Sequence, residues 1–122
     1  MKRKKRKNTN NSQIKKNIVK IMGSEEFNNY YDLLNSDNFI KRKIDERKEE
    51  FRRDHNTGSY IKNKPYPKDY DKYEVKVLFV DEITDNMRLI YTIISTNDIK
   101  YYKLIEVLTH KQYDVKFGYH TS

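Results

Sequence analysis

Met87-Arg88-Leu89-Ile90-Tyr91-Thr92-Ile93-Ile94-Ser95 is the stretch whose reading decides the fold. It is rich in β-branched and aromatic residues and free of glycine and proline, the composition of a buried strand. Asp81 to Asn86 before it reads as a polar turn, Thr96-Asn97-Asp98 after it as a hairpin turn, and Ile99 to Leu108 as the next strand. Upstream, Tyr73, Val75, Val77 and Phe79 alternate with Glu74, Lys76, Leu78 and Val80, which predicts a half-buried strand with Glu74 and Lys76 on one face.

Further upstream the period is helical. Ser24 can cap a helix whose apolar positions are Phe27, Tyr30, Tyr31 and Leu34. Asn35-Ser36-Asp37 breaks it, and Asp37 can cap a second helix striped by Ile40, Ile44 and Phe51 and running to about His55. The other face of that helix (Lys41, Arg42, Asp45, Glu46, Arg47, Glu49, Glu50) carries mixed charge at ion-pair spacing, the pattern of a solvated surface. Asn17 to Met22 reads as a short first strand, Ser59 to Asp71 as a basic, proline-punctuated loop, and Thr109 to Ser122 as a short irregular or helical tail. The expected fold is α+β: an antiparallel sheet of about four strands packed against an N-terminal helical hairpin, in the order β-α-α-β-β-β with a short C-terminal tail. The sheet is expected to carry Val75, Val77, Leu89, Tyr91, Ile105 and Val107 against Phe27, Leu34, Ile44 and Phe51 of the helices.

Composition bounds the rest. The 122 residues suffice for one domain, expected over residues 14–122, behind a basic arm over residues 1–13. Lys2, Arg3, Lys4, Lys5, Arg6 and Lys7 supply six of the formal net +8, leaving +2. Such a run repels itself and is expected to be disordered when free. It can grip phosphate, address a nucleus or serve as a solubilising tail. Cysteine is absent, so there is no disulfide frame, thiolate metal site or cysteine nucleophile, which suits a reducing cytoplasm. No apolar run approaches the roughly 20 residues of a membrane span, and no h-region follows the basic start, so neither a membrane partner nor a signal peptide is expected. His55 and His120 lack ligand spacing, and no glycine-rich phosphate loop or nucleophile elbow occurs, so no metal and no cofactor is expected.

The segment Asn86-Met87-Arg88-Leu89-Ile90-Tyr91-Thr92-Ile93 has the pattern xRLIYxI, and His110-Lys111-Gln112-Tyr113 followed by Phe117-Gly118-Tyr119 has the pattern HKxYxxxFGY. Together they resemble the RelE/ParE toxin superfamily. The resemblance covers residues 17–119 in topology and 60–119 in motif. It implies a RelE-type toxin of a type II toxin-antitoxin system, a metal-independent endoribonuclease that cuts mRNA, typically on the ribosome, and is neutralised by a cognate antitoxin protein. ParE toxins of the same fold act on gyrase and cleave nothing, so a non-enzymatic inhibitor of a protein target is the alternative. A basic nucleic-acid-binding protein of a mobile element, led by the arm, is a third.

Metal-independent RNA cleavage uses the 2′-hydroxyl as nucleophile and needs a proton acceptor, cations at the phosphate and help at the leaving 5′-oxygen. Arg88 matches the family's strand arginine and is either a phosphate contact or a structural partner of Glu74 or Glu106. Lys76 matches a basic strand position; Glu74 departs from that pattern, and the two form either part of the cleft or a cross-strand ion pair. His110 is the natural proton carrier near neutral pH, and Tyr113 can stack on a base, orient the phosphate or pack. Lys62, Lys64 and Lys68, interleaved with Tyr60, Tyr66 and Tyr70, have the composition of an RNA-binding loop or of a solvated one, and Lys111 is an auxiliary phosphate contact.

Overall fold

The computed structural model describes residues 18–119, so the basic arm expected over residues 1–13 and His120 lie outside the described residues. The elements are β1 (Ile18–Gly23), α1 (Glu25–Leu33), α2 (Phe39–Arg52), β2 (Ser59–Tyr60), a 3-10 helix (Lys68–Tyr73), β3 (Phe79–Glu82), β4 (Met87–Ser95), β5 (Ile99–Thr109) and α3 (His110–Phe117). The α+β class is as expected, with a helical hairpin early and strands late. The sheet, however, has five strands in the order β1-β5-β4-β3-β2 and is mixed, because β1 runs parallel to β5. β1 turns Val19 and Ile21 towards the helices and closes the free edge of β5, which an all-antiparallel sheet of four strands would have left open.

The caps follow local chemistry. Ser24 starts α1 by accepting from the Phe27 amide at 3.0 Å, and its hydroxyl donates to the Ile105 carbonyl at 2.5 Å, tying the helix to β5. Asn38, rather than the expected Asp37, caps α2, because its Oδ1 accepts from the amides of Ile40 (2.8 Å) and Lys41 (3.2 Å). α2 ends at Arg52, three residues before the expected His55. Thr109 and Gln112 form a capping box at α3, and Gly118 ends that helix at φ +75°, a left-handed conformation that a Cβ disfavours.

The expected strand over residues 73–80 is the main correction. Lys68–Tyr73 is a 3-10 helix, Glu74 caps it in the left-handed region at φ 55°, and β3 begins only at Phe79. Glu74 and Lys76 therefore do not share a strand face. Tertiary anchoring overrides the alternation here: Tyr70 is buried, stacks on Phe117 at 5.5 Å and donates to Glu106, while Tyr73 donates to Glu26 at 2.5 Å. Leu78, expected on the polar side, is fully buried, whereas Val75 and Val77 are only half-buried.

Both sheet faces carry an apolar core, the one opposite the helices over part of its length. Against α1 and α2, Phe27, Ile44 and Phe51 meet Leu89, Tyr91, Tyr102 and Leu104, with Phe51 stacked on Tyr102 at 4.6 Å. On the opposite face Ile61, Tyr70 and Leu78 from the 59–78 segment and Phe117 from α3 meet Ile90, Ile105 and Leu108. Ile105 was expected to face the helices. A bulge in β5, where Ile90 pairs with Glu106 but Tyr91 with Leu104, turns Ile105 to the other face. The segment entering the sheet passes hard against Tyr91: the Gly58 amide donates to the Tyr91 hydroxyl at 2.9 Å, and a Cβ at Gly58 would lie 2.3 Å from that oxygen.

Candidate functional site

At the end of the sheet where β4 begins, Arg47, Thr57, Ser59, Val80, Asp81, Glu82, Arg88 and Tyr113 line a cleft of about 480 Å³. Arg88 is only 6% exposed. Its Nη1 donates to the carbonyls of Thr84 (3.1 Å), Asp85 (3.1 Å) and Met87 (3.3 Å), and its Nη2 lies 3.8 Å from Glu82. The acidic partner is thus Glu82, not Glu74 or Glu106. Glu106 instead accepts from Tyr70 and from Lys116, which also reaches Asp69 at 2.6 Å.

Across the cleft Arg47 donates from Nε to Asp81 at 3.1 Å and from Nη2 to the Glu82 carbonyl at 3.2 Å, and Thr57 donates to the same Asp81 oxygen. The mixed charge of its helix face predicts a solvated position for Arg47. It follows Ile44 by three residues and precedes Phe51 by four, a spacing that puts it on the flank of the buried stripe. Asp81 and Glu82 read as part of a polar turn, yet they end β3 and supply the cleft's negative charge.

Tyr113 packs in the apolar cluster of that face, stacked on Tyr119 at 5.5 Å and tilted against Phe117 at 5.1 Å. Burial, helped by Tyr119 and Asp114, pushes its hydroxyl pKa well up, with Arg88 working the other way. His110 opens α3, and its amide donates to the Asn86 carbonyl at 2.7 Å, joining α3 to the turn that grips Arg88. Its Nε2 lies 2.8 Å from Oδ2 of Asp114, a carboxylate whose side chain is 10% exposed. That oxygen is buried without a hydrogen bond of good geometry, so the contact works through charge when the imidazole is protonated. Arg88, Tyr113 and His110 are thus brought to one end of the sheet.

Glu74 and Lys76 are not. They are exposed and line a second groove of about 460 Å³ with Tyr73, Val75, Val77 and the end of β4 from Thr92 to Ser95. At about 3.3 Å per residue, that end is roughly 13–23 Å along the strand from Arg88. Lys62, Lys64 and Lys68 are exposed, with the Lys64 ammonium 5.6 Å from the Tyr60 ring centre and 5.5 Å from that of Tyr66. Lys111 is exposed on α3 beside Gln112, Val115 and Lys116.

Among the described residues, no three histidine, aspartate or glutamate side chains gather as a metal ion would require. None of the described helices is long and apolar enough to cross a membrane. No family model matches this chain, no curated protein matches it, and no solved structure matches it.

Proposed function

We propose that this chain is a RelE-type toxin of a type II toxin-antitoxin system, a metal-independent endoribonuclease acting in the cytoplasm on mRNA at the ribosome and held in check by a cognate antitoxin. The observation that carries this reading is a cleft lined by Arg88, Tyr113 and Arg47 at the end of the sheet where His110 opens α3. There His110 takes the proton of the 2′-hydroxyl as that oxygen attacks phosphorus, and Asp114 stabilises the resulting imidazolium. Arg88 and Arg47 offset the charge that builds on the phosphoryl oxygens, and the firmly protonated Tyr113 hydroxyl donates to one of them. The bond to the 5′-oxygen breaks, that oxygen leaves with a proton from water, and a 2′,3′-cyclic phosphate remains. Lys76 and Glu74 take no part at this centre; the loop lysines 62, 64 and 68, with Lys111, serve as outer phosphate contacts.

One observation favours the second reading, a ParE-like inhibitor that binds a protein target and cleaves nothing. The sheet face opposite the helices is filled by Ile61, Tyr70, Leu78 and Phe117, and Arg88 already has three carbonyls and Glu82 around it.

Cleavage of mRNA programmed into ribosomes separates the two. With variants matched to wild type by circular dichroism, His110→Gln is expected to slow single-turnover cleavage by about tenfold to a hundredfold and to alter its pH profile. Arg88→Lys is expected to slow it by on the order of a hundredfold while changing RNA affinity much less, because a lysine cannot reproduce the planar fork. The products should be 2′,3′-cyclic or 3′-phosphates, formed equally well in EDTA when substrate presentation does not need magnesium. Growth inhibition without cleavage, unchanged by His110→Gln, would replace the ribonuclease reading with the second.

A further inference from the structure

The cover on the sheet face opposite the helices stops short of one end. The 59–78 segment and α3 lie over Ile90, Ile105 and Leu108 and reach as far as the buried Thr92, whose hydroxyl donates to the Val77 carbonyl at 2.6 Å, but Ile94 and the β1 edge beyond it stay exposed. Strand register sets its side chains in rows. Lys20 pairs with Tyr101, which pairs with Ile94; Met22 pairs with Lys103, which pairs with Thr92. Because Val19, Ile21, Tyr102, Leu104 and Ile93 face the helices, these rows face the other way. Ile18, Met22 and Ile94 are 56%, 43% and 39% exposed, and Lys20 is exposed at the sheet edge.

On α2, Lys41 and Arg42 donate to the backbone carbonyls of Leu34 and Asp37, and Lys48 lies over the Tyr31 ring. Lys43, Arg47, Arg52 and Arg53 of the α2 region each sit on a carboxylate. Among the described residues, Lys20, Lys76 and Lys103 have no carboxylate within ion-pair distance, and the Lys103 ammonium lies 5.3 Å from the Tyr73 ring centre. Lys20 pairs with the half-buried Tyr101, Lys103 lies two residues further along the same strand, and Lys76 lines a groove with Ile94. On the same face Ile18 pairs with Ile99, which adjoins Tyr101 and Ile94, and Lys20 and Lys103 flank this short apolar run.

We propose that this open end of the sheet is a binding platform for single-stranded RNA, with one base stacked on Tyr101 against Ile94 and the backbone running past Lys20, Lys103 and Lys76. Unpaired lysines supply the phosphate attraction and the aromatic face the sequence-tolerant stacking that single strands need. The platform lies at the opposite end of β4 from the Arg88 cleft, goes beyond the cleavage reading and holds whether or not the chain cuts RNA.

The test is fluorescence anisotropy of the full chain with a labelled 2′-O-methyl nonauridylate, which has no free 2′-hydroxyl and so reports binding apart from cleavage. Tyr101→Leu should weaken binding about tenfold with little change in salt dependence, and Tyr101→Phe should bind as wild type. Lys20→Ala, an exposed edge change that leaves the fold intact, should reduce the slope of log affinity against log salt by about 0.7, and Lys20→Ala/Lys103→Ala by about 1.4. The charge-matched pair Lys43→Ala/Arg52→Ala on α2 should leave the slope unchanged. Equal losses in the α2 pair, or Tyr101→Leu binding like wild type, would overturn the platform. So would a Lys20/Lys103 variant that keeps its oligonucleotide affinity and instead loses binding to phosphatidylserine vesicles. A chain that binds through the platform but never cleaves would sink the ribonuclease reading alone.

Discussion

Phe117→Ala probes whether the cover on the sheet's second face is a structural core or a removable lid. Phe117 is 5% exposed, and its ring meets Tyr66 at 6.4 Å edge-on, Tyr70 at 5.5 Å stacked and Tyr113 at 5.1 Å tilted. Truncating a buried phenylalanine costs about 3–5 kcal/mol through lost transfer energy and the cavity left behind. Tyr113 touches the Phe117 ring and stacks on Tyr119, and with both only half-buried they can move into part of the space, so the lower bound, about 3 kcal/mol, is the expected value. Against the 5–15 kcal/mol of a typical domain that is a large share. With a urea slope of roughly 1.5 kcal/mol per molar, the unfolding midpoint should fall by about 2 M. Val115 on the same helix is 75% exposed, and Val115→Ala should stay within about 0.5 kcal/mol. Equilibrium urea unfolding followed by far-UV circular dichroism reads both. A Phe117→Ala loss below about 1 kcal/mol with an unchanged slope would refute the second core and make α3 with the 59–78 segment a cover that can lift from the sheet.

Other expectations are as specific. Gly58→Ala would place a Cβ 2.7 Å from the Val80 carbonyl oxygen as well as against Tyr91, and should destabilise the domain by about 1–3 kcal/mol in the same urea assay. Glu26 is held down at about 2 by hydrogen bonds from Lys72 and Tyr73. Its contribution is therefore complete above the ordinary glutamate value of 4.5 and fades as pH falls towards 2. Glu26→Gln should lower the unfolding midpoint at pH 7 and converge on wild type near pH 2; a constant gap across that range would contradict the assignment. Asp54 is lowered chiefly by its hydrogen bond from Lys100, with Tyr102 assisting. Asp54→Asn should likewise cost stability at neutral pH and progressively less as the acid is titrated, read as melting temperature against pH.

The sequence by itself determined the parts whose signals are local. Ser24 at the start of α1, the Ile44 and Phe51 stripe, the buried strand from Met87 to Ser95 and its hairpin into β5 all follow from patterns complete within a dozen residues. The proximity of Arg88, Tyr113 and His110 was legible too, since a hairpin and a capped helix link them through consecutive elements. Only the tertiary structure decided what depends on distant partners. The alternation from Tyr73 to Val80 suggested a strand, but Tyr70 and Tyr73 are claimed by Phe117, Glu106 and Glu26, contacts 36 to 47 residues away in sequence, which favour a 3-10 helix there. Glu74 and Lys76 lie at the other end of β4 from Arg88 because β3 runs antiparallel to it, with Glu82 opposite Arg88 and Phe79 opposite Tyr91. The bulge at Ile105 reversed one side chain, and Arg47 entered the cleft because its guanidinium reaches Asp81 and the Glu82 carbonyl at the end of β3. Period and capping are short-range properties of the chain, whereas which face is buried, and which charges meet, is set by burial summed over the whole domain.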